Sequence, residues 1–268
     1  MEHLSEAKAR LDAMLPLSNE QIERLWPMWV KEDALYVYTS NAIEGNTLTL
    51  GETTVILEDG VTIGGKTVKE HLEVINGAKA YALMLDMAKD NRPITVNTLL
   101  ALHESIVSGE PFAGMFRDGA VYIRGSQHVP PNAVKVRQLI AETFETYVRD
   151  VVEEHAVVAG AKLHFAIAHI HPFVDGNGRT ARIVNNLHLI SHGYPPVLID
   201  PVDDKPTYFE ALGAASLSGE PAKGDPAPFV DYMVQMEQRS LGRYIEALET
   251  AYGSDEPTSR RRRSAEEA

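Results

Sequence analysis

Residues 171–182 have the sequence HPFVDGNGRTAR, in which a His-Pro pair is followed by an Asp-Gly-Asn-Gly turn and two arginines. Pro172 ends a preceding helix, because proline has no amide hydrogen to donate. Gly176 and Gly178 permit a tight loop whose backbone N–H groups converge at the start of the next helix. A helix N-terminus carries partial positive charge and unpaired donors, so this segment predicts an anion-binding site.

The charged and titratable side chains of the same segment indicate which anion it binds. Arg179 and Arg182 are three residues apart, which predicts that both reach one polyphosphate from the first turns of the helix. Asp175 precedes the turn, where its carboxylate can hold an Mg²⁺ ion that bridges phosphates. His171 can take a proton from a hydroxyl near neutral pH. Together these residues indicate phosphoryl or nucleotidyl transfer.

The segment resembles the Fic family motif HxFx(D/E)GNGRxxR and agrees with it at every defined position. The resemblance covers about residues 34–252 and implies a mostly α, Fic-type helical core with a small β-hairpin flap and an N-terminal inhibitory helix. Outside the motif it rests on a flap-like region and on an element similar to the one that lies beside adenine in the family. These are residues 114–117, 121–123, 125–126 and 129–131 for the flap, and 208–212 for the adenine side.

The resemblance also implies an activity and the residues that perform it. The reaction would move AMP from ATP, with Mg²⁺ held by Asp175, to a Ser, Thr or Tyr hydroxyl of an unidentified target protein. His171 would be the general base. Gly178 is similar to AMP-transferring members, whereas relatives that phosphorylate have Lys at this position. The nucleotide would be bound by Gly176, Asn177, Gly178, Arg179, Arg182, Ser126, Gln127 and Tyr208.

A second signature lies before the core, where residues 40–45 (SNAIEG) resemble the family's inhibitory pattern (S/T)xxxE(G/N). The resemblance implies that Glu44, supported by Ser40, pairs with Arg182 and occupies the donor meant for the γ-phosphate. Two alternatives stay open at this point. Glu44 could activate water to remove AMP from a modified target, or the protein could bind nucleotide as a regulatory module without transferring it.

Hydrophobic spacing organises the rest of the chain. Apolar residues recur every three to four positions, which predicts helices, over 6–14, 19–29, 68–87, 96–107, 134–152, 156–170, 179–192 and 226–252. Gly64-Gly65 and Gly125 each predict the turn of a short hairpin, at 61–68 and 121–126. The predicted organisation is an N-terminal helical arm with the inhibitory motif and a short hairpin, a catalytic core and a disordered tail, over residues 1–67, 68–252 and 253–268.

Composition limits the partners. With 25 Lys and Arg against 38 Asp and Glu, the formal charge is −13, which gives no general support to nucleic-acid binding. The chain has no cysteine, secretory signal or apolar run of membrane-spanning length, so we expect a cytoplasmic location and no membrane contact. The basic run 260–263 is predicted to be solvated. A homodimer is left open.

Two local patterns could instead indicate a P-loop or a zinc site. Residues 60–67 (GVTIGGKT) match the P-loop pattern GxxxxGK[ST], but no alternating strand and helix succession follows, so the hairpin is favoured. The histidines form two groups, 164, 169 and 171, and 188 with 192, whose spacing could suit a zinc ion. Because no HExxH pattern accompanies them, they are predicted to be packing or surface residues.

Overall fold

The computed structural model describes residues 1–220 and 223–253, and the side chains of these residues except 26–30, 252 and 253. The prediction of a mostly α protein is confirmed. The helices are α1 Glu2–Ala13, α2 Asn19–Ile43, α3 Leu50–Asp59, α4 Val68–Lys89, α5 Val96–Ile106, α6 Ala133–Glu153, α7 Ala156–Ile170, α8 Asn177–Ser191, α9 Lys205–Leu217 and α10 Ala227–Gly253. No helix in these ranges combines the length and the apolar character needed to cross a bilayer.

The helix α2 is much longer than its apolar spacing predicts, because it continues from residue 29 to Ile43. Its last turns bury polar side chains, among them Thr39, Ser40 and Asn41. Asn41 donates a hydrogen bond to the Glu73 carbonyl of α4 at 3.1 Å. Buried polar side chains interrupt the apolar period, so the part of α2 that carries the predicted inhibitory motif gives no regular hydrophobic signal.

The hairpin predicted at residues 61–68 is wrong. Thr67 caps α4 by accepting a hydrogen bond from Glu70 N, and Val68 is the first helical residue rather than part of a strand. Ile63 N donates to the ring of His71 at 2.8 Å instead of to a partner strand. The segment is preceded by the helix α3, not by a strand, and Lys66 donates to the Thr47 carbonyl. This context also argues against a P-loop.

The hairpin predicted for the flap is not confirmed. The turn itself is present, since Ser126 N donates to Ile123 O at 3.1 Å and Gly125 has φ +78°. Residues 121–123, however, pair with no strand within 1–220 and 223–253. The residues after the turn are held by other contacts, in particular a hydrogen bond between His128 Nε2 and His169 O at 2.8 Å. No second strand is therefore available to form a ladder.

Two apolar cores place α7 and α8 at the centre of the fold. The first core lies where α4, α5, α6 and α7 meet α8, and includes Met84, Leu99, Ile140 and Phe173. The second lies around α10 and includes Leu4, Phe165, Phe229 and Leu241. Nearly all of α8 is buried, so the loop between α7 and α8 is held from both sides.

The N-terminal arm packs into both cores, with Leu4, Leu11 and Leu25 in the second and Tyr36 and Val37 in the first. The division at residue 67 stays a prediction. The helix α10 reaches Gly253, and the rest of the predicted disordered tail, with the basic run 260–263, lies outside the described residues.

One buried carboxyl of α10 has no hydrogen-bond partner among the described residues. The side chain of Glu237 in α10 is fully buried, and neither carboxylate oxygen has a hydrogen-bond partner among the described residues. Burial raises the pKa of Glu237 well above its usual value, although Arg243 opposes the rise. An unsatisfied buried polar group costs about 1–3 kcal/mol. Removing this carboxyl should therefore stabilise the fold.

We expect Glu237→Met to raise the free energy of unfolding by about 1–3 kcal/mol at pH 7, measured by urea denaturation. The unfolded state releases the Glu237 proton above about pH 4.5 while the folded state holds it, so the gain should widen as pH rises. Glu246→Met, at an exposed position of α10, should change stability by less than about 0.5 kcal/mol. Destabilisation by Glu237→Met would show that the carboxyl has a partner.

Candidate active site

The loop between α7 and α8 is fixed by its own side chains. The helix α7 ends at Ile170, and His171 takes a left-handed conformation with φ 52° and ψ 59°. Gly176, with φ +77°, precedes α8, whose N-terminus has no side-chain cap. Asn177 bonds Phe173 twice, by accepting from its N–H at 2.8 Å and donating to its carbonyl at 2.9 Å. The Asn177 side chain therefore shapes the loop, and only its backbone is free to meet a nucleotide.

His171 is arranged to accept a proton. Its Nδ1 hydrogen-bonds to the Ala168 carbonyl at 3.1 Å. A carbonyl only accepts, so Nδ1 carries the hydrogen and Nε2 keeps its lone pair. Burial lowers the pKa of His171 below its usual value, although the Ala168 carbonyl and the Glu44 charge oppose this. The ring is consequently neutral near pH 7, the form that a general base requires.

Asp175 is an ionised carboxylate at the mouth of the loop. Burial alone would raise its pKa, but Arg179, the Gly176 N–H and Lys69 lower it below its usual value. Its Oδ1 accepts from Gly176 N at 2.6 Å, while Lys69 Nζ and Arg179 Nη2 each lie 3.4 Å from the carboxylate. The side chain is 44% exposed. It is therefore accessible to a cation.

The two arginines of the motif have separate surroundings. Arg179 Nη1 lies 3.4 Å from Glu73 Oε1 of α4, and its Nη2 faces Asp175. Arg182 instead faces α2, where its Nη2 donates to Glu44 Oε1 and to the Ser40 carbonyl, both at 2.8 Å. Both guanidinium groups are buried, and each keeps a nitrogen without a partner among the described residues, Nε of Arg179 and Nη1 of Arg182. Such orphaned donors suit an anion.

Glu44 and Arg182 form an ion pair across the candidate site. Arg182 is 5% exposed, whereas Glu44, at the end of α2, is 36% exposed. Ser40 Oγ accepts from Arg182 Nε at 3.1 Å. Burial alone would lower the pKa of Arg182, but the Glu44 carboxylate raises it above its usual value. The segment 40–45 and the motif helix α8 therefore meet as the sequence predicts.

Gly178 lies directly beneath this ion pair. A Cβ atom at this position would overlap Glu44 Oε1 and would lie 3.1 Å from Arg182 Nη1. The absence of a side chain is what allows the Glu44 carboxylate to rest on the first turn of α8. A larger residue here would be incompatible with the observed position of Glu44.

A cavity of about 1200 Å³, including its open mouth, joins most of the predicted residues. It is lined by the predicted site residues Glu44, Ser126, Gln127, His171, Gly178, Arg182 and Tyr208. The other five lie outside its lining: Ser40 behind Arg182, and Asp175, Gly176, Asn177 and Arg179 along the loop and first turn of α8. The structure thus divides the predicted site between the cavity and the loop beside it.

Comparison with known proteins identifies the family. A family model described as "Fic/DOC family" matches residues 93–189. The protein adenylyltransferases fic-1 of Caenorhabditis briggsae and Caenorhabditis elegans are each 36% identical, over 82% and 81% of this chain and 43% and 42% of their own lengths. The solved structure of Fic-1 (aa134–508) from C. elegans has TM-score 0.79 and 30% identity, over 93% of this chain and 73% of that one. The chain belongs to the Fic/DOC family.

A second solved structure has the same fold. A Fic domain containing signaling protein from Bacteroides thetaiotaomicron has TM-score 0.82 and 26% identity, over 94% of this chain and 97% of that one. This Fic/DOC protein spans about two fifths of the length of the curated relatives that it matches.

The side of the cavity that the sequence predicts to face adenine is formed by α9 in this Fic/DOC protein. Tyr208 is 1% exposed, and its hydroxyl hydrogen-bonds to His164 Nε2 at 3.0 Å. The centre of its ring lies 5.9 Å from Arg182 Cζ, so the ring packs against the guanidinium group. Ser216 lines the cavity and its Oγ lies 3.2 Å from His169 Nδ1. Phe209, 43% exposed, presents an apolar face that sequence reasoning did not single out.

Three further residues that support the site were also missed. Glu73 links Arg179 to Asn46 Nδ2, the latter at 2.9 Å. Arg117 donates to the His171 carbonyl in the loop between α7 and α8, and His103 bonds the Asp175 carbonyl at 3.0 Å. Arg117 lies in a segment that the Fic resemblance covers. The other two give no local signal, because their partners are distant in sequence.

The histidines do not form a zinc site within the described ranges. His188 shares hydrogen bonds with Tyr147 and with the Ala156 carbonyl, both at 2.7 Å. His192 Nδ1 contacts the His188 carbonyl at 2.7 Å. His164 is engaged by Tyr208, as described above. These contacts account for His164 and His188 as buried packing residues, whereas His192 is exposed.

Acid should destabilise this Fic/DOC protein before most carboxylates titrate. Burial lowers the pKa of His103 to about 4, of His164 to about 3 and of His188 to about 4. Between pH 6.5 and 5 the unfolded state gains protons that the folded state refuses, so stability falls as pH falls. We expect a loss of about 2 kcal/mol for each such histidine over this range. Urea unfolding of Glu237→Met between pH 6.5 and 5 measures this loss, because the variant lacks the Glu237 carboxyl, whose pH dependence has the opposite sign. A free energy of unfolding that does not change over this range would contradict the prediction.

Proposed function

We propose that this protein transfers AMP from ATP, with Mg²⁺, to a Ser, Thr or Tyr hydroxyl of a target protein. The observation that carries the proposal is that His171, Gly178 and Arg182 line one cavity. A neutral base, a helix N-terminus and a buried cation with an unpaired donor then face the same space. The matched relatives are named protein adenylyltransferases, which supports this activity.

The chemistry follows from the proposed roles of His171 and of the N-terminus of α8. Nε2 of His171 takes the proton of the target hydroxyl, and the hydroxyl oxygen attacks the α-phosphorus of ATP. The bond between the α-phosphorus and the bridging oxygen breaks, and pyrophosphate leaves. The uncapped N–H groups of α8 stabilise the negative charge on the phosphates. Arg182 holds the γ-phosphate through the donor that Glu44 otherwise occupies.

The donor set at Asp175 fits a magnesium ion. No three His, Cys, Asp or Glu side chains form a metal cage in the described ranges, but Mg²⁺ in nucleotide sites takes one or two carboxylates and completes its shell with phosphates and water. Asp175 supplies one ionised and accessible carboxylate beside the uncapped helix. When bound, Mg²⁺ would neutralise charge on the phosphates. Asp175 would hold it, with Lys69 and Arg179 fixing the carboxylate.

In the proposed resting state Glu44 inhibits transfer. Its carboxylate takes the Arg182 donor and covers Gly178, so the γ-phosphate cannot reach Arg182 and the α-phosphorus is not presented to His171. Because Glu44 is partly exposed, it can leave without unfolding the core. The flap would hold the target by main-chain pairing along residues 121–123, a mode that accepts varied sequences.

Mapping the modified residue tests the function. Glu44→Gly protein would be incubated with ATP and Mg²⁺, alone and with a cell extract, and all modified peptides identified by mass spectrometry. We expect AMP on Ser, Thr or Tyr side chains. If no protein gains AMP while ATP binds, and if the wild type removes AMP from a chemically adenylylated peptide, then Glu44 activates water and the protein removes AMP instead.

A further inference from the structure

Arg117 is a buried cation that has no acidic partner. Its side chain is 4% exposed, and no carboxylate in the described ranges lies within ion-pair distance. The guanidinium instead donates to backbone carbonyls: Nε to His171 at 2.7 Å, Nη1 to Gly119 at 2.9 Å, and Nη2 to Pro131 at 2.6 Å and Ile170 at 3.3 Å. A buried charge without a counter-ion is costly, so its position needs a reason.

The four carbonyls belong to two separate structures. Ile170 and His171 are at the C-terminal end of α7, where helix carbonyls lack partners and attract cations. Gly119 and Pro131 stand on either side of residues 120–130, the central part of the flap. One rigid guanidinium therefore joins both ends of the flap to the residue proposed as the base. The backbone strengthens this link, because Arg117 N donates to the Pro172 carbonyl at 2.9 Å.

This link matters because His171 and the flap both depend on contacts with the rest of the fold to keep their positions. His171 is one of two non-glycine residues with positive φ in the described ranges, a conformation that surrounding contacts must maintain. The flap pairs with no strand in the same ranges. The flap also contacts α7 through His128, which hydrogen-bonds to the His169 carbonyl and stacks on the His169 ring. Arg117 therefore lies where it can set the distance between His171 and a segment bound along residues 121–123.

We propose that Arg117 is a positioning residue, which sets the flap, and with it the target hydroxyl, at the correct distance from His171 Nε2. The proposal rests on the function proposed above. Arg117 does not line the nucleotide cavity, so its loss should leave ATP binding intact. A misplacement of about 1 Å can reduce a reaction rate about 100-fold. The expected signature is therefore a fall in kcat without a change in nucleotide affinity.

The test uses Arg117→Lys and Arg117→Ala in the Glu44→Gly background. Lys keeps the charge but cannot span both groups of carbonyls. With ATP labelled on the α-phosphate, we expect self-labelling to fall about 100-fold in both variants, with the dissociation constant for Mg²⁺-ATP changed by less than threefold. Millimolar guanidinium should restore part of the rate in Arg117→Ala and none in Arg117→Lys. The matched control is Arg137→Met, which changes an arginine of α6 that lies over the Phe116 ring. This variant should keep the rate of the parent.

Hydrogen exchange separates this proposal from the function on which it rests. In Arg117→Lys, backbone amides of residues 119–129 and of Ile170 and His171 should exchange faster together, while those of α8 stay protected. If the Glu44→Gly parent takes up no label but exchange changes in this linked way, the transfer function fails and the link itself stands. Unchanged exchange, weakened ATP binding in step with rate, or loss of folding in both variants without recovery in guanidinium would overturn the positioning role.

Discussion

Replacing Glu44 by Gly is expected to raise the rate of AMP transfer roughly 100-fold, as measured by uptake of α-phosphate label under saturating ATP. In the wild type, Arg182 donates to Glu44 Oε1 at 2.8 Å and Gly178 lies beneath the same carboxylate. If the active arrangement is populated at about 1%, removing the competitor releases a factor of about 100. The variant should also bind ATP more tightly, because Arg182 Nη2 becomes available to the γ-phosphate.

Two further variants test whether the charge of the Glu44 carboxylate causes the inhibition. Glu44→Gln keeps the shape of the side chain but loses the charge-assisted bond to Arg182, so it should release only part of the inhibition. Glu58→Gln changes an exposed glutamate on α3 and should leave the rate at the wild-type level. Equal rates for the wild type and Glu44→Gly, with ATP bound by both, would show that the ion pair does not control transfer.

Replacing His171 by Ala should reduce transfer by about 100- to 10,000-fold in the Glu44→Gly background. Nε2 of His171 is the base in the proposed reaction, and its Nδ1 is already committed to the Ala168 carbonyl. Because the phosphates would contact α8 and Arg182, the affinity for ATP should stay within a few fold. The measurement is the initial rate of label uptake, with ATP affinity measured by calorimetry on the same preparations.

The control for this variant is His192→Ala. His192 is exposed, and its Nδ1 contacts the carbonyl of His188 in its own helix, so its loss should leave transfer unchanged. Full transfer by His171→Ala would remove the general base from the mechanism. Loss of ATP binding in parallel with the rate would instead indicate that His171 supports the nucleotide site.

Helices with a regular apolar stripe were predictable from the sequence, and the features that depend on polar contacts were not. The pattern at 156–170 matches α7 because that helix is buried among apolar neighbours. The end of α2 was missed because the buried polar residues 39–41 interrupt its apolar spacing. The 61–68 hairpin was mispredicted because a capping box at Thr67 and Glu70 starts a helix where β-branched residues favour a strand.

In the candidate site, too, the motif residues were predictable from the sequence and most of their polar contacts were not. The motif predicted that Glu44 and Arg182 meet, and the structure brings them together. The motif did not predict that Arg179 pairs with Glu73 or that the Asn177 side chain hydrogen-bonds to Phe173. Nor did it predict that Arg117 joins the flap to the loop between α7 and α8. These contacts join residues whose proximity only the folded chain creates. The homodimer stays a prediction.

In the proposed reaction the AMP part of ATP, and not its terminal phosphate, becomes attached to protein. Parallel incubations of Glu44→Gly with Mg²⁺ and ATP labelled on either the α- or the γ-phosphate distinguish the two, with His171→Ala in the same background as the blank. We expect α-label to stay on protein, γ-label to be released as pyrophosphate, and the blank to take up neither. Retention of γ-label on protein would instead show phosphorylation and would rule out AMP transfer as the reaction.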